Sequence, residues 1–299
     1  MPEQNLAKLT TFKIGGSCEN LFFPENQAEF VELLQTLDNP IIIGGGSNLL
    51  ISSNGIKQPV VSTSKLRTIE INNNKVKAEC GVFGAFAAKT VAEKGLSGFE
   101  FQIAFPGTIG GNLYMNASAH GQFMSDTFIS AKVFDKQTKE IITLTKADMN
   151  FAYKQSILQT KRYVLIEAEF ELTPKLPTEI KEKMGANLEH RKNTQPSMAF
   201  PNAGCAFKNP PNDSAGRLLD QAGMKGIKHN NVKVWESHAN FIVNCGSATS
   251  TEVLELMLIM YNSVKEKYNI ELEPEIIFIG EKNGREEEIC NILYQKTQK

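Results

Sequence analysis

Residues Ile41 to Ser52 read IIIGGGSNLLIS, three glycines clamped between two runs of branched apolar residues. Each glycine costs about 0.5–1 kcal/mol of backbone entropy relative to alanine, so a run of them marks a backbone that something must approach closely. Upstream, Asn26 and Glu29 have capping-box spacing, and Phe30, Leu33, Leu34 and Leu37 recur with helical period. That helix ends near Asn39-Pro40 and feeds a strand at Ile41–Ile43; Leu49–Ile51 is a second strand. The glycines therefore join strand to strand. A Rossmann fingerprint or a P-loop needs a helix straight after its glycines, and neither GxGxxG nor GxxxxGK[ST] occurs.

Beyond the glycine run, Val60-Val61, Thr68–Ile71 and Val76–Cys80 read as short strands, the last two joined by an Asn72-Asn73-Asn74 turn. Val82 to Lys94 reads as a helix with Phe83, Phe86, Ala87 and Val91 on one side and Gly95 closing it. Further strands follow at Ala131–Phe134, Ile141–Leu144 and Tyr163–Leu172, making the middle of the chain an α+β unit. Thr178 to Arg191 is a charged helix, Ser214 to Ala222 a short one, Ala239–Val243 a strand, and Thr249 with Glu252 opens a long amphipathic helix. The tail after Gly280 is polar and reads as mobile, and Trp235 reads as core.

A chain of 299 residues exceeds one compact core and predicts two or three domains. Its 32 basic and 33 acidic residues give no global charge for nucleic acid. No apolar run is long enough to span a membrane and Met1 to Thr10 lacks a signal-peptide core, so a cytoplasmic protein is expected. The five cysteines are scattered, and His120, His190 and His229 have no paired spacing, which points away from disulfides and metal.

Eight segments in order resemble one family: TTFKIGG (Thr10–Gly16), GGGSN (Gly44–Asn48), GLSGFEF (Gly95–Phe101), PGTIGG (Pro106–Gly111), MNA (Met115–Ala117), NAGCAFKNP (Asn202–Pro210), HANFIVN (His238–Asn244) and LEPEIIFIG (Leu272–Gly280). They are similar to the UDP-N-acetylenolpyruvoylglucosamine reductases, in the short form that lacks a long insertion between Leu172 and Asn202. The resemblance implies an α+β chain with a two-subdomain FAD-binding fold of the MurB/vanillyl-alcohol-oxidase type and a C-terminal α+β substrate-binding domain. The expected divisions are 1–58 and 59–183 for the two FAD subdomains, with the tail 275–299 packing on the second, and 184–274 for the substrate domain.

The same resemblance implies FAD and NADPH as cofactors, UDP-N-acetylenolpyruvoylglucosamine as substrate, no nucleic-acid or membrane partner, and a monomer. Gly44, Gly45, Gly46, Ser47 and Asn48 would wrap the FAD pyrophosphate as an anion-binding nest, with Pro106, Gly107, Thr108, Gly110 and Gly111 as a second cofactor loop. Cys205 would be the proton donor; a thiol of ordinary pKa, about 8.5, is protonated at neutral pH. Glu275 resembles the glutamate acting at the substrate carboxylate, with Glu273 the nearest rival. Tyr153, Ser156, Asn202, Lys208 and Asn209 would contact substrate, and Lys13 is a further candidate for phosphate. His238 and Asn240 are expected to orient backbone.

Departures cluster near the site. Tyr153-Lys154-Gln155-Ser156 stands where the family has Tyr-Arg-x-Ser, and lysine keeps the charge without the planar two-pronged grip, so either Lys154 or Arg162 would meet the carboxylate. Asn112 replaces a small residue, Ser118 and His120 stand where Gly and Tyr are common, and Ile277 replaces an arginine. Two other readings stay open: another FAD oxidoreductase of this fold, whose mark would be a covalent flavin attachment for which His120 and Cys80 lack a recognisable motif, and a flavin- or UDP-sugar-binding homologue with impaired catalysis.

Overall fold

The computed structural model describes residues 4–197 and 199–295, which form two compact units. One comprises Leu21–Gly45 and Gln58–Arg191; the other comprises the chain up to Asn20, Gly46–Lys57 and the chain from Lys192. The chain thus passes from one unit to the other between Gly45 and Gly46, within the glycine run.

The first unit is built on two sheets. A parallel sheet in the order Leu21–Phe22, Val60–Ser62, Ile41–Ile43 is linked by the Gln27–Thr36 helix, whose Asn26 cap accepts from Glu29 N–H as the spacing predicts. A five-stranded antiparallel sheet runs Glu140–Thr145, Phe128–Asp135, Tyr163–Glu171, Lys75–Glu79, Ile69–Asn72. Period two along its central strand puts Ile166, Ala168 and Phe170 in the core and Glu167, Glu169 and Glu171 on the other face. Phe99 meets Phe170 edge-to-face at 5.0 Å.

The Gly84–Glu93 helix buries Ala87, Ala88, Val91 and Ala92, but Phe86, read as inward from sequence, is 54% exposed. The stripe starts from Gly84 at spacings of three and four, which turns position 86 outward. The charged helix is Pro177–Thr194, so the expected division after residue 183 lies inside one continuous helix, and the compact units part at Arg191-Lys192.

In the second unit, Lys228–His229, Val232–Val234 and Ile242–Asn244 form an antiparallel sheet. The Ser250–Tyr268 helix, opened by the Thr249/Glu252 capping box, buries Val253, Leu256, Met257, Met260 and Val264 in its core. Two expectations fail here. The tail is an ordered helix, Gly284–Leu293, with Ile289, Cys290 and Leu293 buried, and the preceding Ile277–Ile279 strand pairs in parallel with Leu49–Ile51, so through residue 295 it belongs to this unit rather than to the unit that holds residues 59–183; residues 296–299 lie outside the described residues. An apolar side chain buried this way contributes about 1.5–3 kcal/mol, enough to fix a helix whose acidic run reads as solvated. Trp235 is half-buried, its ring 4.8 Å from that of Phe200. Among the described residues no helix is long and apolar enough to cross a membrane.

Candidate active site

The first two glycines of the run face the second glycine-rich loop. A Cβ on Gly44 would lie 2.5 Å from Thr108 Oγ1, and one on Gly45 would lie 2.8 Å from Pro106 O. Thr108 caps the short Ile109–Tyr114 helix, while Ile109 N–H and Gly110 N–H donate to Val82 O and Cys80 O, both at 2.8 Å. The sequence-predicted residues Gly44, Gly45, Pro106, Gly107, Thr108 and Gly110 are therefore one cradle of closely packed backbone. Such a cradle leaves no room for side chains and presents peptide dipoles, so the residues present fit the phosphates of a dinucleotide. Burial pushes the Cys80 thiol behind it up to about 12, leaving it protonated and inert.

Asn112, the departure in this loop, is accommodated by a partner that sequence reading misses. It is 4% exposed, its Nδ2 donates to Gln102 Oε1 at 3.1 Å, and its Oδ1 lies against Gly107, where a Cβ would collide with it. His120, another departure, sits at φ +53° with its ring 5.2 Å from that of His190, so two histidines distant in sequence are neighbours. Burial, with His190 and Lys183 adding, holds the His120 imidazole below its ordinary value. No group of three metal-ligating side chains occurs among the described residues.

In the second unit, Gly46 adopts φ +60° over the Leu9 carbonyl, which a Cβ would strike, and its own carbonyl accepts from Thr11 N–H at 3.2 Å. Two residues on, Asn48 brackets the glutamate segment: its Nδ2 donates to Glu275 O and its carbonyl accepts from Ile277 N–H, both at 2.9 Å. The side chain of Asn48 is thus engaged with the protein.

Cys205 and Glu275 lie on adjoining segments of this unit. Cys205 bridges Phe241, and the carbonyl of the next residue, Ala206, accepts from Glu275 N–H at 2.9 Å. Phe207 then bridges Pro274, and Lys208 N–H donates to Glu273 O at 2.8 Å. Cys205 and Glu275 are both partly exposed. Glu273, the rival acid, has its carboxylate 2.5 Å from Lys208 Nζ, so the lysine read as a substrate contact is in an ion pair. Asn209 Oδ1 accepts from Ala215 N–H at 3.0 Å, and Asn202 folds back on Gly204 N–H and Phe200 O. Lys13 lines a cavity of about 550 Å³ with Phe200, Lys233 and Cys245.

Lys154 belongs to the first unit, at the tip of a tight turn. Ala152 and Gln155 exchange backbone hydrogen bonds at 3.2 Å, Lys154 has φ +55°, and its carbonyl accepts from Gln159 Nε2 at 2.9 Å. Tyr153 beside it is 45% exposed. Ser156 is buried, its hydroxyl donating to Tyr114 O at 2.9 Å, and so anchors the turn. Arg162 is committed elsewhere: Nε and Nη2 grip both oxygens of Asp135, at 3.0 and 2.6 Å.

Residues 19–145 match the profile of an FAD-binding domain, and residues 195–279 match that of the UDP-N-acetylenolpyruvoylglucosamine reductase C-terminal domain. The chain is 38% identical over 287 residues to the UDP-N-acetylenolpyruvoylglucosamine reductase of Caldicellulosiruptor bescii, covering 94% of this chain and 91% of that protein. With the enzyme of that name from Bacillus subtilis it shares 37% over 287 residues, covering 94% of each. The crystal structure of the reductase (MurB) from Thermus caldophilus superposes with a TM-score of 0.81 at 30% identity, covering 92% of this chain and 97% of that one. The chain belongs to the UDP-N-acetylenolpyruvoylglucosamine reductase family.

Proposed function

We propose that this protein is an FAD-dependent oxidoreductase that reduces UDP-N-acetylenolpyruvoylglucosamine to UDP-N-acetylmuramate with NADPH, in the synthesis of peptidoglycan precursors. Family membership over nearly the whole chain supports the substrate and the cofactors. The observation that supports the chemistry is the hydrogen bond from Glu275 N–H to the carbonyl of Ala206, the residue that follows Cys205. Cys205 and Glu275 are distant in sequence, and a reduction across a double bond needs an acid and a group at the carboxylate held in fixed relation.

The chemistry that FAD supplies when bound is hydride, taken up from NADPH and passed to C3 of the enolpyruvyl group. Two electrons then reside in the C2–carboxylate system, and one proton delivered to C2 completes the lactyl product. Cys205 donates that proton from Sγ. Glu275 acts at the substrate carboxylate, and Lys154 supplies the positive charge that stabilises it as negative charge develops. Two contacts favour these assignments over their rivals: Arg162 is held by Asp135, and Glu273 by Lys208.

The cofactor phosphates are held by Gly44, Gly45, Gly46, Ser47 and Asn48 through backbone, and by the Pro106–Gly111 loop. Tyr153 and Ser156 shape the Lys154 turn, and Asn202, Lys208 and Asn209 contact the nucleotide sugar. Residues 19–145, which match the FAD-binding domain, serve FAD, and residues 195–279 serve the sugar nucleotide. The protein acts as a cytoplasmic monomer, without nucleic-acid or membrane partners, in keeping with its balanced charge.

An anaerobic absorbance experiment tests this. NADPH should bleach the flavin bands of the purified protein, and UDP-N-acetylenolpyruvoylglucosamine should restore them. Bleaching without recolouring would reject the substrate, and a protein that cannot be loaded with FAD would reject the cofactor.

A further inference from the structure

The segment 205–208 carries the proposed acid, yet it lacks a continuous strand on one side. Ile242–Asn244 continues its ladder with Val232–Val234, but Ala239-Asn240 is already a turn, so the chain that bridges Cys205 through Phe241 turns away beside Phe207. A side chain takes the place of the missing peptide. Asn240 is 2% exposed; its Oδ1 accepts from Phe207 N–H at 3.0 Å, its Nδ2 donates to Phe207 O at 2.8 Å, and its own carbonyl accepts from Ala206 N–H at 2.8 Å. Asn240 is itself fixed, because its N–H donates to His238 Nδ1 at 3.3 Å while the His238 ring packs 4.7 Å from that of Phe241.

On the other side of the same two residues, Ala206 O accepts from Glu275 N–H and Lys208 N–H donates to Glu273 O. One carboxamide thus sets the height of the 205–208 segment, and that segment in turn sets Glu275. We infer that Asn240 is a positioning residue for the reduction, aligning the Cys205 thiol with the Glu275 carboxyl through the backbone of Ala206 and Phe207. The inference rests on the reductase reading given above. Asn240 does not touch the reacting atoms, and it acts only in the step that consumes the proton.

The test compares Asn240→Leu, which keeps the volume and loses the hydrogen bonds, with Asn240→Asp, which keeps an acceptor for Phe207 N–H and regains a donor for Phe207 O only when protonated. Both are assayed as FAD-loaded protein in the two half-reactions. Flavin bleaching by NADPH should stay close to wild type. Recolouring by UDP-N-acetylenolpyruvoylglucosamine should slow about 10–100-fold in Asn240→Leu, the range a small misplacement of a reacting group costs. Its solvent deuterium isotope effect should rise, and Asn240→Asp should recover rate as pH falls.

A purely structural role would lower thermal stability and leave the two half-reactions in their wild-type ratio, which overturns the inference, as does recolouring at the wild-type rate. Alkylation of Cys205 by iodoacetamide, read by peptide mass spectrometry, needs no turnover and should change several-fold in Asn240→Leu. Unchanged alkylation overturns the inference even where the variant is too unstable for kinetics. Failure of wild type itself to recolour would instead reject the reductase reading, with the alkylation comparison still deciding the role of Asn240.

Discussion

Removing the buried amide pair behind the Pro106–Gly111 loop should stabilise the protein, but only if both members go together. Gln102 is fully buried and Asn112 is 4% exposed; Asn112 Nδ2 donates to Gln102 Oε1 at 3.1 Å, while Gln102 Nε2 has no partner among the described residues. The space is already full, since a Cβ on Gly84 would lie 2.7 Å from Gln102 Oε1 and 2.8 Å from Asn112 Nδ2. An unpaired buried donor costs about 1–3 kcal/mol, and a neutral hydrogen bond returns only about 0.5–1.5 kcal/mol. Asn112→Ala alone leaves both ends of the Gln102 amide unpaired and should cost about 1–3 kcal/mol. Gln102→Leu alone exchanges one orphan, Gln102 Nε2, for another, Asn112 Nδ2, and should be near neutral. The double replacement removes every orphan and should be about 1–2 kcal/mol more stable than wild type, a rise of about 2–4 °C per kcal/mol for a domain of this size. Thermal melts of the four proteins, with and without FAD, give the coupling energy of the cycle. A coupling near zero, or a Gln102→Leu variant as stable as the double, would refute the reasoning, because either would mean that the two amides do not depend on each other.

Three further outcomes follow from the site. Cys205→Ala should leave bleaching by NADPH intact and slow recolouring by orders of magnitude, as expected when an acid used only in that transition state is lost; unchanged recolouring excludes Cys205 as the donor. Lys154→Arg should preserve or raise turnover, since arginine also tolerates the turn as lysine does and adds a second prong; a large loss would mean that the pocket is built around lysine. Burial holds the His238 and His120 imidazoles below their ordinary value, so the unfolded chain binds more protons below about pH 6.5. Stability should therefore be full above that pH and decline as pH falls toward the folded-state values. Urea titrations between pH 7.5 and 5.5 read the slope, and His238→Asn should flatten it; an unaltered slope would exclude His238 as a contributor.

The strands and capped helices were legible because each is written locally. Asn26 with Glu29 and Thr249 with Glu252 specify helix starts within four residues, and alternation along Tyr163–Glu171 specifies which face is inside. The Gly284–Leu293 helix escaped although Asn283 and Glu286 write the same capping box at its start, because the rest of its signal is divided. Its acidic run reads as solvent-facing, whereas Glu286 is fully buried, accepting hydrogen bonds from Ser250 Oγ at 2.5 Å and Asn54 Nδ2 at 3.1 Å. No local pattern announces donors so far away in the chain. The same limit applies at the site. Cys205 and Glu275 can be picked out by resemblance, but that Ala206 accepts from Glu275, that Lys208 is held by Glu273 and that Gln102 answers Asn112 are long-range pairings. The partner of a buried polar group is set by the fold, since any residue able to satisfy it would serve.

The glycine run shows how one short motif can meet separate demands. Gly44 and Gly45 are small because Thr108 and Pro106 lie against them, whereas Gly46 is small because the chain there turns through φ +60° across the Leu9 carbonyl. The obstacle at Gly44 is a side-chain hydroxyl, which can rotate away. Those at Gly45 and Gly46 are backbone carbonyls, which cannot. At Gly46 a left-handed residue is needed as well, so the demand on the third glycine is conformational and steric together. The unit boundary falls between the second and third, and the loop is anchored on each side by its own contacts: Thr63 N–H to Ile43 O at 2.9 Å before it, Thr11 N–H to Gly46 O at 3.2 Å and Ile277 N–H to Asn48 O at 2.9 Å after it. If the loop holds the cofactor phosphates as proposed, its fixed ends leave it little entropy to lose on binding, and that pre-organisation would stand in for the helix end used by other phosphate sites.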